Sequence, residues 1–476
     1  MKARSFGMVI ALALPLAAAA QNRIGTGDVE DIYMTNCANC HGRDLAGGSG
    51  SSLIDDDWKY GGSDAEIAAS IRDGIPDMDM PAWGEALDDR QIRALVIFLR
   101  EKKAALQTEA VRRSLVADHG VFSAGGYRFT LEDVGHGDDL LWSIAFLPDG
   151  SMLVTQRDGV LWHFVNGERK AIANTPAVWQ HGQGGLLEVA PHPDYAENGW
   201  IYLSYSENTG AEENGKAAGM TTVARGRITD GRWTDHEQLF SVDGEHHTST
   251  GVHFGSRFVF DDGYLFFGIG DRGRQDRAQD LGRPNGKIYR LHDDGRVPAD
   301  NPFVGVAGAL PAIWSYGHRN PQGMDLEPAT GLLWESEHGP RGGDEINVVE
   351  KGRNYGWPVI TYGMNYNGTP ITEETQREGM EQPKLYWTPS IAVAGIDFYE
   401  GDAFPGWTGK LLAGGLASEE LHLLTVENGS VTADDIILKD QGRIRDVASG
   451  PDGLIYLLLN GGEPRRGRIV RMTPAP

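Results

Sequence analysis

Residues 143–156 read SIAFLPDGSMLVTQ, and they place an apolar run, a Pro-Asp-Gly turn and a second apolar run in direct succession. Pro, Asp and Gly favour a tight turn, and apolar runs of four to six residues suit β-strands. Related turns recur at 192–199, 261–263, 327–331, 404–409 and 451–453, each between two such runs. The second part of the chain is therefore predicted to repeat one strand–turn–strand unit.

Six irregular copies of this unit indicate radial repetition. We predict a mostly β fold in which a six-bladed β-propeller spans residues 121–474. The composition agrees, since 64 glycines suit short strands joined by tight turns. A β-sandwich with coincidental hairpins is the alternative, but a sandwich rarely needs about 350 residues.

The region before the repeats has a different period. Residues 64–73 (DAEIAASIRD) and 88–99 (DDRQIRALVIFL) place apolar side chains at helical spacing. A small all-α domain is therefore predicted at 25–105. A polar stretch without a strong apolar face follows, and we interpret 106–120 as a linker.

The first twenty residues have the features of a secretory signal. Lys2 and Arg4 precede an apolar run at 8–16, and three alanines end at Ala20. This order predicts cleavage after Ala20 and export, most simply to a periplasm. An uncleaved anchor is the alternative, but the run is shorter than the roughly 20 residues that a spanning helix needs. No later segment is apolar enough to span a membrane.

Charge and cysteine content exclude other classes of protein. The formal net charge is −24, and such a surface repels phosphate backbones, so no nucleic-acid partner is expected. Two cysteines are too few for a disulfide-stapled scaffold.

Those two cysteines belong to a C-x-x-C-H sequence, formed by Cys37, Cys40 and His41. This pattern predicts covalent haem c, with His41 as one iron ligand. A thioredoxin-like pair would not need the histidine, and a zinc site would need further ligands. A soft sixth ligand favours electron transfer, and Met78 and Met80 are the candidates. The segment from Met80 resembles the Met-Pro-x-aromatic segment of class I cytochromes c, which favours Met80.

Several propeller loops concentrate His, Arg, Gln and aromatic residues, which predicts a concave pocket for an anionic ligand at one end of the ring. The stretches are GQGGLL (182–187), HFGSRFVF (253–260), GIGDRGR (268–274), GHRNPQG (317–323), GGDEIN (342–347), NYGWP (354–358) and GRIRDVASGPDG (442–453). Together and in this order they resemble the soluble PQQ-dependent glucose and aldose sugar dehydrogenases, the glucose/sorbosone dehydrogenase family. That family has a six-bladed propeller.

The resemblance implies roles for individual residues. His253 lies where the family has its catalytic base, and His318 is the second candidate. Gln183, Tyr355 and Trp357 correspond to residues that contact substrate or form the pocket wall.

The cofactor-binding positions follow from the same resemblance. Arg274 and Gln275 would contact PQQ, and Arg443 and Arg445 would bind its carboxylates from one strand face. Calcium is expected at the backbone of Gly282, Arg283 and Pro284.

Three positions depart from the family pattern. Val252 replaces an aspartate that precedes the base, Gln275 replaces an asparagine, and residues 414–419 lack a cofactor-contacting lysine. Arg257 and Arg319 are alternatively ion pairs that join blades, and Asp344 with Glu345 is alternatively a structural turn or structural calcium site.

The expected function is oxidation of an aldose, or of a related polyol or aldehyde, by a PQQ- and Ca²⁺-dependent enzyme. Electrons would pass to the haem within the chain and then to a cytochrome, a copper protein or a quinone oxidase. The alternative is a non-catalytic ligand-binding propeller tethered to an electron carrier. Haem-containing nitrite reductases and the larger quinoprotein alcohol dehydrogenases usually have eight blades, and six are counted here.

Overall fold

The computed structural model of the protein describes residues 29–55, 57–75, 80–115, 117–461 and 466–476, with side chains omitted at 107–114. The predicted signal at 1–20 and the alternative ligand Met78 lie outside these residues.

Four helices form the N-terminal domain: α1 (Val29–Asn36), α2 (Ala38–His41), α3 (Asp64–Asp73) and α4 (Asp89–Ser114). Ser63 caps α3 in a capping box with Glu66. Ile67 and Ile71 face a common core with Leu95 and Phe98 of α4. The predicted all-α character is confirmed, and α4 continues into the first part of 106–120. Among the described residues, no helix has both the length and the apolarity of a membrane span.

The rest of the chain is almost entirely β. Strands β1 (Val121–Ala124) and β2 (Tyr127–His136) follow α4. Blade 1 then consists of β3 (Leu141–Phe146), β4 (Met152–Gln156), β5 (Leu161–Val165) and β6 (Glu168–Ala171). Blade 2 consists of β7 (Leu186–Pro191), β8 (Ile201–Glu207), β11 (Met220–Thr229) and β12 (Arg232–Phe240), and the hairpin β9 (Glu212–Glu213) and β10 (Lys216–Ala217) is inserted between β8 and β11. Blade 3 consists of β13 (Phe258–Asp261), β14 (Tyr264–Ile269), β15 (Lys287–His292) and β16 (Ile313–Tyr316).

Blades 4 and 5 have the same four-stranded form. They consist of β17 (Pro321–Leu326), β18 (Leu333–Glu337), β19 (Asp344–Val348) and β20 (Leu385–Trp387); and β21 (Val393–Phe398), β22 (Leu411–Gly415), β23 (Glu420–Glu427) and β24 (Ser430–Lys439). Short helices lie in the connections at α5 (Tyr195–Asn198) and in 3₁₀ form at Gly244–His246, Gln275–Gln279 and Pro405–Trp407.

Blade 6 closes the ring with strands from both parts of the chain. It consists of β25 (Arg443–Ser449), β26 (Ile455–Gly461) and β27 (Arg466–Pro474), followed in space by β2 and β1. Strand β2 pairs antiparallel with β27 from Phe129↔Pro474 to His136↔Arg468. Every blade is therefore hydrogen-bonded internally, and the predicted six-bladed propeller is confirmed.

Each of the six predicted turns joins the first and second strands of one blade. These turns gather at one end of the ring, where Pro148, Pro193 and Pro451 line a cavity of about 950 Å³. The histidine- and arginine-rich loops lie at the opposite ends of the same strands. A propeller thus separates its repeated turns from the loops that carry chemistry.

A single arginine connects most of the blades near the axis. Arg257 of blade 3 pairs with Glu188 of blade 2 and Asp446 of blade 6, both at 2.8 Å. Its Nε donates to the Gln322 carbonyl of blade 4, and Asp446 also accepts from the backbone N–H of Ile144 in blade 1. The alternative interpretation of Arg257 as an ion pair that joins blades is therefore correct.

The helical domain packs against blade 4. Glu101 of α4 accepts two hydrogen bonds from Arg341, at 2.9 and 2.7 Å. Arg93 donates to the Thr361 carbonyl at 2.6 Å, and Met364, 1% exposed, joins the core of the helices. The contact therefore combines an ion pair, a hydrogen bond from a half-buried arginine and apolar packing.

We expect Arg257→Ala to lower the free energy of propeller unfolding by about 3–5 kcal/mol, because Glu188 and Asp446 would remain buried without their counter-charge. Arg468→Ala is the control, since its partner Asp133 is exposed and such pairs contribute about 1 kcal/mol or less. Urea unfolding followed by circular dichroism measures both. Equal, small losses in the two variants would contradict the structural role of Arg257.

Candidate active site

The centre of the site is a histidine held by a buried carboxylate. His253 Nδ1 lies 2.6 Å from Asp271 Oδ1, and the second oxygen of Asp271 accepts from Trp357 Nε1 at 2.8 Å. Asp271 is 1% exposed. A carboxylate at Nδ1 keeps the proton on that nitrogen, so Nε2 is free to accept a proton.

The backbone conformation of His253 sets the orientation of its ring. His253 has a φ of +54°, a left-handed conformation that non-glycine residues rarely adopt and that often marks functional sites. The neighbouring loop approaches closely because Gly182 has no side chain; a Cβ there would collide with the Gly251 carbonyl. This approach lets Gln183 Oε1 accept from the His253 N–H at 2.8 Å.

The electrostatics keep His253 neutral near pH 7. Burial lowers its pKa below the usual 6.5, and Arg319 and Arg272 add to this effect, whereas Asp271 opposes it. A neutral, oriented imidazole can serve as a general base.

Cations form one wall of the site. Arg445 donates to Gln322 Oε1 at 2.8 Å and lies over Trp142, and burial lowers its pKa to about 9. Arg443, two residues away, is exposed and forms no ion pair with a described residue. Two arginines without a carboxylate partner suit an anionic ligand.

Arg319 belongs to this wall rather than to an ion pair among the described residues. Its guanidinium lies 5.3 Å from the centre of the Trp357 ring and donates to the His338 carbonyl, while its buried Nε has no partner. The alternative interpretation of Arg319 as an ion pair is therefore wrong.

His338 completes the wall. Burial and the charges of Arg445 and Arg319 lower its pKa well below the usual value, with His253 adding to the shift. Its Nε2 is buried without a partner. Unsatisfied buried donors and acceptors are rare in folded proteins, and here they indicate a surface prepared for a polar ligand.

Arg274 occupies a different environment from Arg443. It forms two hydrogen bonds with Glu213 of the inserted hairpin, Nε to Oε1 at 3.2 Å and Nη2 to Oε2 at 2.6 Å. Burial would raise the pKa of Glu213, but Arg274 and Ser249 outweigh it and lower the pKa to about 2. Gln275 begins a 3₁₀ helix and is exposed. Arg274 retains Nη1 for a further ligand.

The predicted calcium loop is held partly by protein groups. Pro284 already accepts from Tyr289 at 2.8 Å, while the carbonyls of Gly282 and Arg283 accept no hydrogen bond from a described residue. Next to this loop, the buried ammonium of Lys287 donates to three carbonyls, those of Arg277, Ala278 and Asn285. Two of the three predicted carbonyls are thus available to a cation.

Tyr355 and His318 lie behind the pocket wall. The Tyr355 hydroxyl bonds to the backbone of Val348 and Glu350, and its ring stacks on His318 at 4.5 Å. His318 is fully buried and its Nε2 lies 2.9 Å from Ser315. It is therefore not placed to replace His253 as a base. Trp357, in contrast, touches both Asp271 and the cationic wall.

The helical domain has the donor set for haem c. Cys37 is half-buried and Cys40 is exposed, and neither forms a disulfide. His41 Nδ1 lies 2.8 Å from the Ser51 carbonyl, which can only accept, so Nε2 is left for iron. Met80 packs at the edge of the apolar core with Leu53, Ile54 and Trp58. Two thiols, an imidazole and a thioether are the donor set that haem c would need.

Sequence reasoning missed Asp271 and His338. Asp271 stands in the quoted GIGDRGR stretch, but the expected orienting aspartate was sought beside the base, at Val252. The two loops meet only in the folded ring. His338 follows directly after β18, and its position at the end of a blade strand was the available signal.

Comparison with known proteins agrees with this geometry. A family model described as Glucose / Sorbosone dehydrogenase matches residues 138–471, and one described as Cytochrome C oxidase, cbb3-type, subunit III matches residues 26–99. The chain is 46% identical over 342 residues to Aldose sugar dehydrogenase YliI of Escherichia coli (strain K12), covering 70% of this chain and 90% of the relative.

Solved structures extend the likeness to the fold. The apo-form of the soluble aldose sugar dehydrogenase from Escherichia coli has a TM-score of 0.68 at 43% identity, covering 73% of this chain and 100% of that one. The PQQ-bound aldose sugar dehydrogenase from Streptomyces coelicolor has a TM-score of 0.58 at 25% identity, covering 73% of this chain and 98% of that one.

Asp271→Asn tests the electrostatic role of that carboxylate. Asp271 raises the pKa of His253 against burial, so its replacement should lower that pKa further. Titration of ¹³C-labelled histidine by NMR measures the shift, with His253→Gln used to assign the resonance. An unchanged or higher pKa in Asp271→Asn would show that the carboxylate does not govern the ring.

Proposed function

Because this chain belongs to the glucose/sorbosone dehydrogenase family and carries an N-terminal cytochrome c domain, we propose that it oxidises an aldose sugar, or a related polyol or aldehyde, with PQQ and Ca²⁺ as cofactors. Electrons then pass within the chain to a covalent haem c. The observation that carries the proposal is the His253–Asp271 pair, which lies near Arg319 in a wall whose arginines form no ion pair with a described residue.

Oxidation of a hydroxyl to a carbonyl removes a proton and a hydride. His253 Nε2 takes the hydroxyl proton, and Asp271 stabilises the imidazolium that forms. Gln183 holds the backbone of His253 and lies beside the position of the substrate. Bound PQQ would supply an electrophilic quinone carbon that accepts the hydride.

The arginines of the cationic wall would bind the cofactor. Arg443 and Arg445 pair with its carboxylates, and Trp357 forms the adjacent surface. Arg274, whose Nε and Nη2 bind Glu213, would direct Nη1 to a quinone oxygen, and Gln275 would contact the cofactor beside it. The backbone at 282–284 would hold Ca²⁺. Lys439 donates to the Ser418 carbonyl but is paired with Glu420, so its charge does not replace that of the lysine missing at 414–419.

Transfer to the haem is favoured by the position of the interface. Arg341, which binds Glu101 of α4, is three residues from His338 in the pocket wall. The cytochrome domain therefore packs against the loop that also carries His338. His41 and Met80 are the proposed iron ligands, and a cytochrome, a copper protein or a quinone oxidase is the proposed acceptor.

A periplasmic location is part of the proposal. It rests on the export signal predicted at 1–20 and on the C-x-x-C-H sequence, since haem attachment and sugar oxidation would both take place in the compartment to which the chain is exported. The non-catalytic alternative, a binding propeller beside an electron carrier, gives no role to the imidazole held by Asp271.

His253→Ala should lower kcat by about 10²–10⁴-fold, because it removes the general base, while PQQ binding and haem content stay unchanged. The wild-type rate should fall as the pH drops through the His253 pKa, which lies below 6.5, since the protonated ring cannot accept. Steady-state dye reduction after reconstitution with PQQ and Ca²⁺ measures both. Arg443→Ala is the control and should weaken PQQ binding instead. A near-normal kcat in His253→Ala would remove this assignment.

Haem reduction by substrate should proceed at a rate that does not depend on protein concentration. Arg341→Glu places a second negative charge beside Glu101, so the cytochrome domain should be displaced from blade 4. The rate of haem reduction should then fall by on the order of tenfold or more, since small displacements of positioned groups lower reaction rates strongly. Reduction of a soluble dye at the propeller should stay unchanged. The double variant Arg341→Glu/Glu101→Arg should restore the rate. Stopped-flow absorbance of the haem distinguishes this from transfer between molecules, which would scale with concentration.

A further inference from the structure

A cluster of buried acidic groups lies between blades 3 and 4, behind the pocket wall and outside the proposed chemistry. Glu335 and Glu337 project from the same face of β18, and His318 faces them from the loop that follows β16. Their exposed fractions are 0%, 4% and 0% respectively. Two carboxylates are expensive to bury, because each loses its hydration. Among the described residues, the group that faces them and can offset their charge is His318: burial lowers the pKa of its ring, but the two carboxylates outweigh this effect and raise it.

The three side chains converge on one point. His318 Nδ1 lies 3.5 Å from Glu335 Oε1 and 3.7 Å from Glu337 Oε1, and the three ligand atoms lie within 4.8 Å of one another. These spacings are long for hydrogen bonds. They are close to the edge of a tetrahedron around a metal ion, about 3.4 Å for bonds of about 2.1 Å.

The cluster also leaves buried polar atoms unused. Asn347 Nδ2 donates to the Oε1 atoms of Glu335 and Glu337, at 3.0 and 3.5 Å, but His318 Nδ1, Glu335 Oε2 and Asn347 Oδ1 have no hydrogen-bond partner among the described residues. The opposite nitrogen of the ring is held by Ser315 at 2.9 Å, which orients Nδ1 toward the carboxylates. An oriented imidazole held from its far nitrogen is the usual arrangement of a histidine that ligates a metal.

A second cluster of histidine and carboxylate side chains, in blade 5, balances its charge in a different way. In blade 5, His422 binds Asp434 through Nδ1 at 2.6 Å and Glu420 through Nε2 at 3.3 Å. The carboxylates lie on opposite sides of the ring, and Lys439 pairs with Glu420. Lys439 thus contributes to the charge balance there, whereas no lysine or arginine side chain among the described residues pairs with Glu335 or Glu337.

We propose that His318, Glu335 and Glu337 bind a divalent transition-metal ion such as Zn²⁺, with water in the fourth position. A neutral imidazole and two carboxylates balance the charge of a dication, and nitrogen with oxygen donors suits zinc or manganese better than calcium. The ion joins the loop after β16 to β18, so it links blade 3 to blade 4.

Such an ion has a structural role for the active site. The residue after His318 is Arg319, whose N–H donates to Glu337 at 2.6 Å. Tyr355, stacked on His318, belongs to the same turn as Trp357. The metal would therefore hold the part of the pocket wall that carries Arg319 and Trp357.

The test is metal analysis of the full-length protein, made without a polyhistidine tag in medium supplied with Zn²⁺ and Mn²⁺. We expect about one equivalent of one of these ions, counted apart from haem iron and calcium, in the wild type. Glu335→Gln, nearly isosteric but uncharged, should lose at least about nine-tenths of it. Asp434→Asn makes the same type of change in the blade 5 cluster and should retain the ion.

A wild-type content below about a tenth of an equivalent, or an equal content in Glu335→Gln, would overturn the proposal. If Glu335→Gln does not fold, anomalous X-ray scattering at the zinc edge from wild-type crystals decides. A peak beside His318 Nδ1 supports the site, and its absence refutes it.

Discussion

The ring depends on one buried guanidinium. Arg257 binds groups from blades 2, 4 and 6, and its partner Asp446 also accepts from blade 1. Burial raises the pKa of Glu188, and the charge of Arg257 opposes this shift. A charge at this depth is tolerated only with its partners in place, so the blades must meet at fixed distances. The same constraint fixes the position of Arg445 in the pocket wall, because Arg445 directly precedes Asp446 in β25.

The fold could largely be predicted from local sequence. Each Pro-Asp-Gly or related turn joins two strands of one blade, and turn chemistry depends on a few adjacent residues. The closing strand β2 was harder to foresee, because its pairing with β27 spans almost the whole propeller. The end of the N-terminal domain was predicted at residue 105, where the apolar helical pattern is no longer strong, whereas α4 continues to Ser114.

The site was predictable where a residue is marked by its own motif. His253, Gln183 and Trp357 come together as expected, and Asp271 supplies the carboxylate that Val252 lacks. Contacts between residues of different loops were not predicted. The pairing of Arg274 with Glu213 involves an inserted hairpin, and the burial of His318 behind Tyr355 involves two blades. Such contacts are set by the ring and leave no periodic trace in the chain.

The pairing of β2 with β27 has a consequence for biosynthesis. The first strands of the propeller leave the ribosome more than three hundred residues before their partner, which ends at Pro474. During that interval their edges remain open, and neighbouring blades can stack but the circle stays incomplete. A nascent chain that stops short of β27 therefore yields an unsealed arc, with the apolar face of its last blade left exposed to proteases and chaperones.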